Sequence, residues 1–180
     1  MQRYTNQAAF LDHFHYRVEI IGNPQPKPLP KFSAWIDNSG TLQRRVFNTA
    51  SQEMRDFGVA VKQMLQVRGS LSEEQFPIWR NHHPVTLVMI FAMRPPNTMF
   101  EGRDRNRSLR GGSNTVRPYN QTPDVDNLVK FVNDALTGVA FEDDSQVCKV
   151  TTIKKWDTAA PYEGRTTIYM KGFTEADNVY

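Results

Sequence analysis

PDVDNLVKFVNDALTGVAFEDDSQV, residues Pro123–Val147, decides the reading of this chain. Within it Val125, Leu128, Val129, Val132, Ala135 and Leu136 recur at helical spacing and form one apolar stripe. The pattern predicts a helix from Asp124 to about Thr137, with Thr122 as cap, Pro123 in the first helical position and Gly138 closing it. Asp126, Lys130 and Asp134 lie four residues apart and share the opposite, polar face. The chain then reverses through Glu142-Asp143-Asp144-Ser145 and enters an extended run from Gln146 to Trp156. Arg165 to Lys171 reads as a further strand, antiparallel to it across the loop Asp157 to Gly164.

Upstream, Val85 to Met93 (VTLVMIFAM) is almost wholly apolar, as a strand buried on both faces should be. Tyr16 to Ile21 alternates and puts Tyr16, Val18 and Ile20 on one face of a first strand. The prolines of Gly22–Pro30 forbid regular structure there. Phe32 to Phe47 holds a short hairpin turning at Asn38-Ser39-Gly40. Thr49–Gln52 has the form of a capping box, and Met54, Phe57, Val61, Met64 and Leu65 then predict a helix through Val67. Gly69 to His83 is a connection with at most a short helical turn. Phe91, Phe131, Val150 and Trp156 are assigned to core or interface, and Cys148 to a buried thiol.

These elements make an α+β fold, and 180 residues suit one domain with one core. Outside that core stand a polar N-terminal extension of about residues 1–14, a loop over 97–122 without apolar period, and a short tail of about 174–180. No stretch is long and apolar enough to cross a membrane, and Met1–Phe10 lacks a secretory segment, so a soluble intracellular protein is expected. That location is cytoplasm or nucleoid, of a host cell if a phage or virus encodes the chain. A single cysteine excludes a disulfide framework and a thiolate zinc cluster. His13, His15, His82 and His83 fit no zinc spacing and read as exposed or packed imidazoles.

Charge is unevenly placed. The loop over 97–122 sets Arg103, Arg105, Arg107, Arg110 and Arg117 against Glu101 and Asp104, a net +3 that equals the charge of the whole chain. Basic excess confined to one loop suits a phosphate-contacting element, and equally a solvated insertion. Lys27 and Lys31, which punctuate the proline-rich loop, join these arginines as candidate DNA-contacting cations.

The chemistry concentrates in two short segments. Asp124, Asp126 and Lys130 open the predicted helix, and Glu142, Asp143 and Asp144 fill the turn after it. Hard divalent cations take carboxylate oxygens, and phosphodiester cleavage uses such a cation to neutralise the phosphate and activate water. A lysine beside them offsets charge that grows in the transition state. Successive helical residues turn by roughly 100°, so Asp124 and Asp126 converge only if Asp124 stands outside the regular helix. Each piece also has a structural alternative: acids favoured by the helix dipole, an ordinary Asp-Asp turn, an i, i+4 ion pair. An EF-hand starting at Asp124 fails, since Val129 and Ala135 stand where Gly and Glu are required. A phosphatase-like Asp-x-Asp nucleophile fails too, because its approach, Pro118–Pro123, is polar rather than an apolar strand. The metal-binding Asp-x-Asp of sugar-nucleotide transferases fits the spacing, but a domain of this size leaves little room for a nucleotide-binding half.

The segment Pro123–Val147 resembles the signature of RusA-type Holliday junction resolvases: Asp-x-Asp-Asn-Leu-x-x-Lys, an Asp-Ala-Leu helix end, then Asp-Asp-x-Gln-Val. Weaker similarity extends to Ile20–Pro30, Asn48–Leu65 and Val85–Met93, and Lys154 or Lys155 falls where that family often has a basic residue. The resemblance implies a two-layer fold, a small mixed sheet flanked by helices, in a homodimer. It implies that Asp124, Asp126 and Asp144 bind Mg²⁺, with Mn²⁺ able to substitute, that Asp143 is a weaker ligand candidate, and that Lys130 is the catalytic lysine. The implied reaction is paired, symmetric nicking of four-way DNA junctions in recombination and repair. A two-fold dimer presents two identical sites to a junction of approximate two-fold symmetry. The N-terminal extension, the arginine-rich loop and the longer C-terminal end depart from the family pattern and bear on substrate selectivity. A nuclease for flaps or forks, and a junction-binding protein without catalysis, are the competing readings.

Overall fold

The computed structural model describes residues 14–27, 31–36, 39, 41–47, 51–69, 71–101, 108–110 and 117–174. Its centre is strand β4 (Val85–Met93), buried along its length apart from the half-buried Ile90. β4 lies in a four-stranded mixed sheet ordered β1-β8-β4-β7, with β1 at Tyr16–Ile21, β7 at Val147–Trp156 and β8 at Arg165–Gly172. β8 runs antiparallel to both β1 and β4, whereas β7 runs parallel to β4. β7 and β8 are thus opposite in direction, as expected, but β4 separates them. The parallel pair needs a crossover, and the chain between β4 and β7 contains helix α2 (Val125–Leu136).

Helix α1 (Ser51–Gly69) packs against α2 and β1. Its Val61 and Leu65 are buried, with Met54, Phe57 and Met64 packed around them. On α2, Leu128, Phe131, Val132, Ala135 and Leu136 are buried, and Phe131 meets Phe57 of α1 edge-on with ring centroids 5.5 Å apart. The two helices approach closely at Gly58, where an added Cβ would lie 2.6 Å from the Ala135 carbonyl oxygen. Val125 is 37% exposed, so the apolar stripe starts one turn later than the sequence pattern predicts.

β2 (Lys31–Ile36) and β3 (Leu42–Phe47) form the predicted hairpin as a separate two-stranded sheet. The connection after α1 carries one 3-10 turn, Glu73–Gln75, and is tied to the end of α2 by backbone bonds from Ile78 to Val139 and from Trp79 to Ala140. The loop over 97–122 is not structureless: a 3-10 turn at Asn97–Met99 leads into a small hairpin of β5 (Phe100–Glu101) and β6 (Ser108–Leu109). Met99, Phe100 and Leu109 supply the apolar anchors that the composition of the loop hides, Phe100 and Leu109 being buried. Arg117–Tyr119 then runs along the end of β7, with bonds from Trp156 to the Arg117 carbonyl and from Tyr119 to the Lys154 carbonyl.

One assignment changes: Cys148 is exposed rather than buried, while Val150, 38% exposed, stands outside the core and keeps only the interface half of its assignment. Both sit on β7, an edge of the sheet with β4 as its only strand neighbour among the described residues. Phe91 and Phe131 are buried as expected, and Trp156 packs half-buried against the core. The expected N-terminal extension up to residue 13, the Thr49–Ala50 start of the capping box and residues 175–180 lie outside the described residues. No helix among the described residues is long and apolar enough to cross a membrane.

Candidate active site

Helix α2 begins at Val125, not at Asp124, and Asp124 is its N-cap residue with extended backbone angles of −69° and 149°. Thr122 and Pro123 therefore belong to the approach. The Asp124 carbonyl accepts the first helical bond, from the Leu128 amide at 3.2 Å, but its carboxylate caps nothing. Aspartate is among the favoured capping residues, so an exposed, uncapping Asp124 keeps both oxygens for another partner. Its position outside the regular helix is the condition under which it could face the same side as Asp126.

The approach to Asp124 is firmly held. Lys154, half-buried on β7, donates to the carbonyls of Gln121 and Pro123, each at 2.7 Å. Its ammonium also lies 4.9 Å from the Tyr119 ring centre, and Tyr119 packs edge-on against Trp156 at 4.5 Å. The Tyr119 hydroxyl donates to the Thr122 carbonyl. Sequence reasoning marked only a basic residue at 154 or 155; the carbonyl clamp has no sequence signal, because it joins segments far apart in the chain.

One turn into α2, the Lys130 ammonium lies 3.2 Å from the Asp126 carboxylate, both side chains about three-fifths exposed. The hydrogen bond from Lys130 holds the Asp126 carboxyl below its ordinary range, with the lysine's charge adding to it. The third member of the polar face, Asp134, pairs instead with Lys27 at 2.5 Å. The Lys27 amide also donates to the Asn127 carbonyl at 3.0 Å, which docks the proline-rich loop on α2. Lys27, expected to contact DNA, is thus engaged within the fold.

In the acidic turn, neighbours have separate tasks. The Asp143 side chain accepts from the Ser145 amide at 2.9 Å and caps the 3-10 turn Asp144–Gln146; bonds from the Ser145 hydroxyl and amide lower its pKa. Glu142 accepts from the Asn81 amide at 2.9 Å. Asp144 is exposed and takes part in neither arrangement. Gln146, only 4% exposed, locks the turn: its Oε1 accepts from the amides of Glu142 and Asp143 at 2.8 and 3.0 Å, and its Nε2 donates to the His83 carbonyl at 3.0 Å. In the sequence Gln146 stands out only as part of a motif; in the fold its buried amide, with two lone pairs and two donors, satisfies both sides of the turn at once.

Asp124, Asp126 and Asp144 offer hard carboxylate oxygens, the donors magnesium and manganese favour. Among the described residues, however, no three acidic, histidine or cysteine side chains stand close enough together to hold a metal ion. The structure brings Asp126 to Lys130 and leaves Asp124 and Asp144 exposed without gathering the three carboxylates into one group. Of the predicted DNA-contacting arginines, Arg103, Arg105 and Arg107 lie outside the described residues, as does the side chain of Lys31. Arg110 donates to the Phe100 carbonyl at 3.2 Å, and Arg117 donates to the Arg110 carbonyl, so these two guanidinium groups brace the loop.

No curated protein matches the chain. The family model of endodeoxyribonuclease RusA matches residues 22–170, from the residue after β1 into β8, and takes in both acidic segments and Lys130. A match of that extent shows that the chain belongs to the RusA family of endodeoxyribonucleases, DNA-binding hydrolases that resolve Holliday junctions.

Proposed function

We propose that this chain is a divalent-metal-dependent, structure-selective endonuclease that resolves four-way DNA junctions by paired symmetric nicks, working as a homodimer. One observation supports it above the others: an uncapping Asp124 directly precedes an exposed turn where Asp126 and Lys130 stand 3.2 Å apart. Exposed carboxylates and a lysine on a held backbone suit a site that must meet a phosphate from solvent.

In this reading Asp124, Asp126 and Asp144, which the structure leaves apart, would have to converge to hold Mg²⁺, with Mn²⁺ able to substitute. When bound, the ion would neutralise the scissile phosphate and lower the pKa of a water. Asp126 meets Lys130 through Oδ2, so its other oxygen would remain for a cation, and the Lys130 ammonium beside it would meet negative charge growing on the phosphate. Lys154 and Gln146 work one step back, as positioning residues: the first fixes the chain entering Asp124, the second fixes the turn carrying Asp144. Asp143, spent on capping, drops behind Asp144 as a ligand candidate.

The test is Asp126→Asn with a synthetic four-way junction in magnesium. The expected loss is about a hundredfold or more in cleavage rate, the scale for removing one transition-state contact, with junction binding retained. Cleavage at the wild-type rate refutes the assignment. Equal cutting of flaps and forks by the wild-type protein would refute selectivity for the intact junction.

A further inference from the structure

A polar cleft of about 510 Å³ opens beside the candidate site, between Asn23, Arg94–Asn97, Gln121–Pro123 and the rings of Tyr119 and Trp156. Its size falls within the roughly 300–1,000 Å³ common for ligand sites. One wall ends at Pro123, the residue before Asp124. That wall is the segment Lys154 clamps, and the opposite wall is anchored where the Arg94 amide donates to the Asn23 side chain at 2.9 Å.

Arg94 is the distinctive member. Its side chain is exposed and carries no hydrogen bond, ion pair or ring contact to any described residue. Of the other described cations near the site, Lys27 pairs with Asp134, Lys130 with Asp126, Lys154 with two carbonyls, and Arg110 and Arg117 with loop carbonyls; Lys155, half-buried on β7, is like Arg94 without a partner among the described residues, but it does not line the cleft. An unpaired guanidinium in a polar cleft wants an anion, and its fork of donors matches a phosphate bidentately. A nucleic-acid strand crossing Asp124 and Asp126 carries a phosphate at every nucleotide, so a strand that continues past Pro123 brings its next phosphate to this cleft.

We infer that this cleft receives the DNA strand flanking the scissile phosphate and that Arg94 binds the adjacent phosphate, outside the metal-binding carboxylates. The inference rests on the proposed nuclease reading and deepens it. It shifts a principal backbone contact from the loop arginines to the end of β4, where the backbone is held by a central strand.

The experiment measures binding of a fluorescent synthetic four-way junction across a salt series without divalent cations, for wild type, Arg94→Gln and Arg94→Lys. Circular dichroism and a thermal melt confirm that the exposed substitutions leave the fold intact. Arg94→Gln is expected to bind about tenfold or more weakly, the scale of a lost hydrogen bond to a charged group. The slope of log affinity against log salt should become shallower by about 0.9 per lost phosphate contact. Arg94→Lys should recover the slope, because it keeps the charge, and only part of the affinity. Unchanged affinity and slope in Arg94→Gln overturn the inference while leaving the nuclease reading standing. Weakened binding whose slope Arg94→Lys does not recover also overturns it, since Arg94 would then act through local shape. Failure of the wild-type protein to bind the junction removes both.

Discussion

Replacing Gln146 by leucine tests whether one buried amide organises the acidic turn. Leucine has nearly the same volume, so cavity formation contributes little, and the change removes hydrogen bonds instead. Three bonds have good geometry: from Glu142 and Asp143 to Oε1 at 2.8 and 3.0 Å, and from Nε2 to His83 at 3.0 Å. A fourth, to the Trp79 carbonyl at 3.4 Å, is long and adds little. At about 1 kcal/mol net for each good bond, the loss is about 3 kcal/mol, more if the stranded amides stay out of water. For a chain of this size that lowers Tm by roughly 6–12 °C, since about 1 kcal/mol corresponds to 2–4 °C. Urea unfolding at fixed protein concentration gives the same quantity from the midpoint and slope, and fixing the concentration matters if the protein dimerises. Cleavage should fall beyond what the lost stability explains at a temperature where the variant is fully folded, because Asp144 rides on the released turn. A loss below about 1 kcal/mol would refute the reasoning, as water would then satisfy the turn as well as the side chain does.

Three further outcomes follow from particular contacts. Gly58→Ala places a methyl 2.6 Å from the Ala135 carbonyl oxygen, so α1 and α2 must separate; a loss of about 1–3 kcal/mol is expected in urea unfolding, and a neutral effect would show that the helices part freely. Asp157→Asn strikes a buried carboxylate that accepts from Arg165 Nε at 3.1 Å and from the Gly164 amide at 3.1 Å, while Arg165 also reaches Glu19 at 3.2 Å. Leaving Arg165 without that charge should cost about 3 kcal/mol in denaturant unfolding, and a Tm within a degree of wild type would contradict it. Lys130→Met should raise the Asp126 pKa toward its ordinary value, since the lysine is the main cause of its depression. The sign is clear: a lowered carboxylate pKa favours the folded state above the unfolded pKa and loses that effect as pH falls through the folded one, so the variant should lose less stability on acidification. Carboxyl NMR titration reads the shift directly, and an unmoved Asp126 would place the cause elsewhere.

Much of the fold was legible because hydrophobic periodicity reports burial. Tyr16–Ile21, Val85–Met93 and the α2 stripe carry periods of two, continuous apolarity and 3.6, and each became the expected element. Strand order was not legible, because which strands pair depends on a crossover rather than on local pattern; β4 inserted between β7 and β8 for that reason. The exposed Cys148 and Val150 follow from the same source, since an edge strand looks apolar in sequence without being covered. In the site, the motif placed Asp124, Asp126, Lys130 and Asp144 on two short segments. It could not say that Asp143 would be spent on a cap, that Lys27 would be taken by Asp134, or that Arg110 and Arg117 would brace their own loop. Those are competitions between nearby partners, and only the assembled backbone decides them. Arg94 carries no sequence signal for the same reason, as one arginine beside two prolines has no pattern to distinguish it.

The exposed position of Cys148 has a practical consequence. It is the chain's single cysteine, and it stands four residues beyond Asp144 on the strand that leaves the acidic turn. A thiol-reactive fluorophore or spin label can therefore be attached at one known point without altering any other residue. Under the proposed function, such a label would report cation and DNA binding at the turn as an optical or magnetic signal, read separately from cleavage.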